Sequence, residues 1–376
     1  VLSALTAERV RRDIDVLAHA GLDVSSFVAE VDASLRRALP HEGACYALID
    51  PATRLLTQTF KTGGLLGRDD RDLEWGFIEY GGEEQLTFVT QVEQGHSAVG
   101  MYEATGGDIC RSQRVREFLL PYFGYEDELR VIASSGDQTW GGLAVFRGPD
   151  QPFTPDEIEF AATLSSLLAV GLRSGLLTRL ATTAPAGDVG PAVIVFGADD
   201  QLAQISVGAE RRLQQLVHAA NVASPVGVLA GLVTRARAFA AGRTDVLPRL
   251  RVRLSTGEWF VLHASPLAGR DGVTGDVVIT IEEARPPEIV PLVVAAFDLT
   301  SRERDVIQLV LQGIDTREIA ATLHLSAYTV QDHLKAIFEK AGVRSRRELV
   351  ARVFFDQYVP RLGGEIAPSG WFAEDA

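Results

Sequence analysis

Three helix-start signals crowd into about fifty residues near the end of this chain, and they leave that stretch little freedom. Thr300 with Glu303, Asp315 with Glu318, and Ser345 with Glu348 each set a short oxygen-bearing side chain three residues ahead of a glutamate. At that spacing the first side chain accepts from the N–H three residues on, and the glutamate can reach back, so each pair marks a helix N-terminus. Apolar residues follow at helical intervals: Val306, Leu309 and Val310; Ile319 and Leu323; Leu349, Val350 and Val353. Another helix starts at Ser326 and carries Val330, Leu334, Ile337 and Phe338 on one side. Gly313 and Gly342 stop the first and third helices, and His324-Leu325 is a short link between the second and third. The spacing therefore predicts four helices over 299–352. Two short helices joined tightly, the second longer and polar on one side, form the geometry that lays a helix in the DNA major groove. The N-terminus of that helix also offers free N–H groups to a phosphate.

The residues at these positions are specific. They run Leu299-Thr300-x-Arg302-Glu303-Arg304, then Glu318-Ile319-Ala320, then Leu325-Ser326-x-x-Thr329-Val330-x-x-His333-Leu334, then Lys340-x-Gly342-Val343-x-Ser345-Arg346. In this pattern residues 297–356 resemble the LuxR-type helix-turn-helix domain. The resemblance implies a sequence-specific DNA-binding transcription regulator. It places Thr329, Val330 and His333 against the DNA backbone and groove, and Tyr328, Gln331, Asp332 and Lys335 on the recognition helix. Gln can pair with adenine, Asp can accept from cytosine N4, and Lys can donate to guanine. Asp332 could instead be a solvated charge that trims off-target binding. Thr316, Arg317, Lys340 and Arg346 become phosphate contacts, and the fourth helix, through Leu349 and Val353, becomes a dimer surface. Each apolar residue among these could equally be core. The chain departs from the family where it has Tyr328, Gln331 and Asp332, since many members carry Lys or Arg there. That departure predicts weaker non-specific affinity.

The net charge of −14 argues at first against nucleic acid, but the distribution matters more. Residues 297–355 hold nine Lys/Arg against eight Asp/Glu, so the acidity lies elsewhere. Attraction to phosphate should be modest and strongly salt-dependent, and two copies in a homodimer would raise it.

Ahead of this module the pattern changes to short strands and helices. Helices are predicted over 1–20 and 25–39, then strands over 44–49 and 55–60 as a hairpin. A loop with a helix follows over 61–82, a strand over 85–92 and a helix over 114–122. Strands over 128–134 and 139–147 join through Ser135-Gly136-Asp137-Gln138, a second hairpin. Thr154, Pro155 and Glu157 open a helix that should run to about Leu180. The order of these elements resembles a GAF sensory domain. A small, Pro/Gly-rich stretch over 181–190 reads as a linker. Then come strands over 192–196 and 202–205, helices over 210–217 and 226–241, and strands over 249–255, 258–265 and 275–281, with Thr256-Gly257 as a tight turn. This run resembles a PAS domain. Residues 284–296, with Pro286, Pro287 and Pro291, read as a stiff connector, and 361–376 as a loose tail.

The fold class is therefore α+β and multidomain. A GAF-like domain with an N-terminal helix spans 1–180 and a PAS-like domain 189–285, both antiparallel-sheet sensory domains. An all-α four-helix LuxR-type domain spans 297–356 and a tail 357–376. Hydrophobic residues make up 46% and charged residues 23% of the chain, enough for a core in each domain. No uncharged apolar run approaches the roughly 20 residues that cross a bilayer, and the charged N-terminus is unlike a signal peptide. A cytoplasmic protein that starts inside its gene product, with no membrane partner, is expected.

Several chemistries fail on composition. The only lysines are Lys61, Lys335 and Lys340. A phosphorylated receiver needs a Lys beside its acidic pair, and Asp199-Asp200 has none near it in sequence. A P-loop needs Gly-Lys-Ser/Thr, which Phe60-Lys61-Thr62 is not. His19, His41, His96, His218 and His263 are scattered, and neither Cys45 nor Cys110 has metal-ligand spacing with them. The two cysteines read as small buried hydrophobes. No cofactor, metal or catalytic residue is expected. Tyr46, Trp75 and Trp140 could line a GAF-type pocket for a small molecule, and Phe196, Trp259 and His263 a PAS-type one; core packing is the readier explanation of each. Two other readings stay open. One is a regulator switched by a protein partner with no small-molecule ligand. The other is an enzyme with a GAF-like cyclic-nucleotide site, against which the missing metal and nucleophile motifs speak.

Overall fold

The computed structural model describes residues 2–178, 192–216, 226–253, 258–269 and 272–354. They fall into two compact units, the first taking in nearly all described residues up to Glu282 and the second beginning at Glu283.

In the first unit, α1 (Ala4–Ala18) and α2 (Val24–Leu35) lead into β1 (Gly43–Ile49) and β2 (Leu56–Gly63). Next are α3 (Asp72–Tyr80), α4 (Phe88–Glu93), β3 (Ala98–Gly100) and α5 (Met101–Ala104). A π-turn over Val115–Leu119 runs into α6 (Leu120–Phe123), followed by β4 (Asp127–Ser135), β5 (Gln138–Arg147), α7 (Pro155–Ala162) and α8 (Ser165–Leu177). The strands form one antiparallel sheet in the order β2-β1-β5-β4-β3. Strand β1 sits between β2 and β5, with Tyr46 opposite Phe60 on one side and Leu143 on the other. Helices α1, α2 and α8 pack together, with α8 against β4 and β5. Their apolar stripes, among them Val10, Ile14, Phe27, Val31 and Leu172, are buried.

A second sheet follows, from β6 (Val193–Phe196), β7 (Leu202–Ile205), β8 (Arg249–Arg253), β9 (Trp259–Gly269) and β10 (Gly272–Glu283). Its order, β7-β6-β10-β9-β8, repeats that of the first sheet. Between β7 and β8 lie α9 (Val207–Leu216) and α10 (Val226–Ala240). Helix α10 packs on α3 at very close range. A Cβ at Gly76 would meet the Ala230 Cβ at 2.8 Å, and one at Gly227 would meet the Asp72 carbonyl oxygen at 2.8 Å. Phe77 lies edge-on to Phe196, their centroids 6.5 Å apart. Asp50, at the end of β1, pairs with Arg251 of β8 at 2.5 Å. The two sheets thus share one continuous apolar core, from Ala47 and Ile132 to Phe260 and Leu262.

Four charged side chains are buried beside this core. Arg114 donates to Glu128 at 2.9 Å and to Glu79 at 3.0 Å, and Arg130 donates to the same two carboxylates at 2.8 Å each. Charges cost several kcal/mol each to desolvate, so they persist in an interior only as a matched set such as this one. The network ties α3, β4 and the π-turn together.

The second unit holds α11 (Pro286–Ala296), α12 (Ser301–Leu311), α13 (Thr316–Leu323), α14 (Ala327–Lys340) and α15 (Arg346–Phe354). The whole is mixed α+β: two antiparallel sheets, then a helical module.

Several expectations are corrected. Residues 85–92 are not a strand: Thr87 and Thr90 form a reciprocal cap that starts α4. The helix expected to run from Pro155 to Leu180 breaks between α7 and α8 with a 44° bend. The supposed connector 284–296 is mostly helix, because Pro286 at the first turn is pre-set for it and Glu288 accepts the Arg285 N–H at 2.6 Å. Strand β3 and helix α5 were not anticipated. Cys110 is exposed and Cys45 half-buried. The predicted linker 181–190, the Thr256-Gly257 turn and the tail beyond 354 lie outside the described residues. Among the described residues, no single helix is long and apolar enough to cross a membrane.

Candidate nucleic-acid interface

Each helix of the module starts where its cap was expected. Thr300 Oγ1 accepts from the Glu303 N–H while Glu303 accepts from the Thr300 N–H at 2.7 Å. Asp315 accepts from the N–H groups of Arg317 at 2.7 Å and Glu318 at 3.0 Å, and these hold its carboxyl below the usual carboxylate range. Ser326 Oγ accepts from the Thr329 N–H at 3.0 Å, and Ser345 Oγ from the Glu348 N–H at 3.2 Å. Between α13 and α14 the chain reverses at His324, which takes a left-handed conformation with φ 54°. That backbone state is costly for a residue with a Cβ and is held here by the helices on either side.

The register of α14 follows from its buried side. Val330, Leu334 and Ile337 are at most 4% exposed and pack with Val306, Ile307, Val310 and Ile319 of α12 and α13. A helix fixed by those three positions turns Tyr328, Gln331, Asp332 and Lys335 outward, and all four are exposed. Thr329 and His333 sit half-buried on the flank of that face. On α13, Arg317 is exposed and Thr316 half-buried. The outward face of α14 therefore presents an amide, a carboxylate, an ammonium and a phenol, a set able to meet base edges or phosphates.

Other expected contacts are placed differently. Val330 is fully buried and belongs to the core. Lys340 donates to Glu303 at 2.6 Å and to the Asp298 carbonyl at 3.2 Å, which joins α14 to the start of α12. Arg346 donates to the carbonyl of Val310, in the last turn of α12, and to that of Ile314 just beyond it. Unpaired carbonyls at a helix end draw cations, and both side chains are engaged inside the module. Leu349 and Val353 are at most 1% exposed and lie where α15 packs on α11, so neither offers a dimer surface.

Residues 298–353 match the family of bacterial regulatory proteins known as the luxR family. The spore germination protein GerE of Bacillus subtilis is 40% identical over 55 residues, covering 15% of this chain and 74% of that protein. The chain belongs to the luxR family. An HTH-type transcriptional regulator of Mycobacterium bovis is 46% identical over 52 residues of this luxR-family chain, 14% of it, and the match covers 6% of the mycobacterial protein. Among solved structures, the GAF domain of a phosphoenolpyruvate-protein phosphotransferase from Coxiella burnetii overlaps 45% of this chain and 94% of its own. Its TM-score is 0.31 and its identity 15%.

Of the aromatic residues expected to line pockets in this luxR-family protein, Trp75 lines a cavity. That cavity, of about 40 Å³, opens in the first unit among Trp75, Phe118, Phe123 and Phe146. Tyr46 points away from it. It alternates with the cavity-lining Cys45 along β1, and its hydroxyl donates to Asp32 of α2 at 3.3 Å. Trp140 is buried beside the β4–β5 turn, and Phe196 is filled in against Phe77. Trp259 is buried and His263 half-buried, and neither lines the cavity. The cavity's polar end is Cys45, Thr59, Lys61 and Asp72. Burial pushes the Cys45 thiol up to about 12, so it stays a thiol. The one signal in the sequence for this site was Lys61, a solitary lysine in the first 334 residues.

Proposed function

We propose that this chain is a DNA-binding transcription regulator. Its α14 enters the major groove of duplex DNA, and the sheet-bearing portion, GAF-like then PAS-like, controls it in response to a small molecule. The observation that carries the reading is the two-sided character of α14. Three buried apolar residues fix its rotation and set Gln331, Asp332 and Lys335 outward. Ser326 holds its first turn, so the free N–H groups there can meet a phosphate. Thr316, Arg317, Tyr328, Thr329 and His333 flank that face and supply backbone contacts. Two modules in a homodimer would read paired half-sites, with the dimer contact away from Leu349 and Val353.

The test is a fluorescence-anisotropy titration of the purified chain with duplexes selected from a genomic fragment pool. Gln331→Ala with Lys335→Ala should reduce preference for the selected duplex by about tenfold or more, because each good base contact contributes about 1–3 kcal/mol. Unchanged preference in the double variant would end the reading.

A further inference from the structure

The most exposed large hydrophobic side chain among the described residues stands on α14. Tyr328 is 76% exposed, against 67% for Val207 and 65% for Val16. Among the described residues its ring enters no stacked, edge-on or cation contact, and its hydroxyl makes no hydrogen bond. Nor is it a loose side chain on a frayed end. Ser326 Oγ accepts from the Thr329 N–H at 3.0 Å and lies 2.8 Å from Thr329 Oγ1, so the first turn of α14 is fixed on either side of Tyr328. Val330, fully buried two residues on, sets the rotation of that turn.

Tyr328, Gln331, Asp332 and Lys335 follow one another at i, i+3, i+4 and i+7, so they form a single stripe, and all four are exposed. Asp332 and Lys335 cancel in charge, so attraction to phosphate does little to hold this stripe in a groove. The ring of Tyr328 is the apolar surface the stripe has to offer. The apolar group that bases display in the major groove is the C5-methyl of thymine, which cytosine lacks. A tyrosine also has a polar tip, and its hydroxyl can reach a phosphate while the ring is covered by the base edge.

We propose that Tyr328 is a specificity residue whose ring lies against the C5-methyl of a thymine, while its hydroxyl keeps the backbone contact assigned above. The assignment rests on the reading of α14 as the helix that enters the major groove, and it names a base that this helix selects. Tyr328 and Gln331 are three residues apart, about 4.5 Å along the helix axis. Base pairs stack at about 3.4 Å, so the thymine lies within about two base pairs of the pair that Gln331 reads. A contact to phosphate alone, or to a protein partner, would be blind to the methyl group.

The experiment is a fluorescence-anisotropy titration of the full chain with the selected duplex, in which each thymine in turn is replaced by deoxyuridine, which lacks only the methyl. At one position near the Gln331 pair the replacement should weaken wild type by about fourfold, the effect of one buried methyl group. Tyr328→Ala should bind the thymine and uracil duplexes alike, and Tyr328→Phe should keep the fourfold ratio. Both variants should melt as wild type does, since the side chain is exposed. The proposal is overturned if no replacement weakens wild type, if Tyr328→Ala keeps the ratio, or if the sensitive thymine lies far from the pair at which Gln331→Ala relaxes preference. A flat uracil scan with Gln331→Ala still relaxing the site removes this assignment alone. Failure of wild type to select any duplex removes the DNA reading and this assignment with it.

Discussion

Lys340→Ala separates two roles that sequence reasoning could not distinguish. A phosphate contact would be lost without harm to the module; an internal strut would weaken it. Lys340 meets Glu303 at 2.6 Å, with its side chain 35% exposed and that of Glu303 7% exposed. A hydrogen bond to a charged group contributes about 1.5–3 kcal/mol. The exposed ammonium is partly screened, and Glu303 keeps the Thr300 N–H at 2.7 Å, so the loss should be nearer 1–2 kcal/mol. Hydrogen exchange read by mass spectrometry over residues 297–345 should show protection falling about 5- to 30-fold. The salt dependence of duplex binding should keep its slope. Lys335→Ala should do the reverse, with protection unchanged and the slope lower by about 0.9. Burial opposes ionisation of Glu303, yet the bonds from Lys340 and the Thr300 N–H hold its carboxyl below its ordinary 4.5. The stabilisation is therefore present above about pH 4.5 and is lost as pH falls through the depressed value, so wild type and variant should converge in acid. A Lys340→Ala protein with full protection and a reduced salt slope would refute the assignment.

Arg114→Met removes a cation that two buried carboxylates share, and urea unfolding should show a loss of about 3–5 kcal/mol; under 1 kcal/mol would mean the network is not needed. Gly76→Val would drive a side chain into Ala230 and the backbone of α10, and the same assay should show a loss of about 1–3 kcal/mol. Burial, aided by Asp69 and Asp70 and opposed by Lys61, raises the Asp72 carboxyl to about 6, so its ionisation opposes folding. Wild type should lose stability relative to Asp72→Asn, by about 1–3 kcal/mol, as pH rises from 4 through 6; thermal melts at pH 4.5 and 7.5 would show it, and a constant difference would contradict it.

The helical module was legible because its signals are local. Thr300, Asp315, Ser326 and Ser345 each cap a helix within three residues, and the cap needs nothing distant. The hairpins of the sheets were legible for the same reason. What failed was either a local signal in an unusual form or a contact made across the fold. The run at 85–92 looked extended, and the Thr87–Thr90 cap that makes it helical uses a threonine where a glutamate is usual. Three prolines over 284–296 suggested a connector, although Pro286 stands where a helix accepts one. Lys340 and Arg346 looked free because the groups they meet, Glu303, Val310 and Ile314, lie more than 30 residues away. The cavity was the least visible feature. Its walls come from β1, β2, α3, the π-turn, β5 and α10, and no spacing in the sequence joins Asp72 to Val228.

The most direct test of the central claim is selection from a randomised duplex pool by the purified chain and by Gln331→Ala. The account predicts that wild type enriches a defined site and that the variant relaxes preference at particular base pairs within it while leaving the flanks unchanged. Enrichment of no site by wild type, or an identical site from both proteins, would contradict the claim that the outward face of α14 reads DNA.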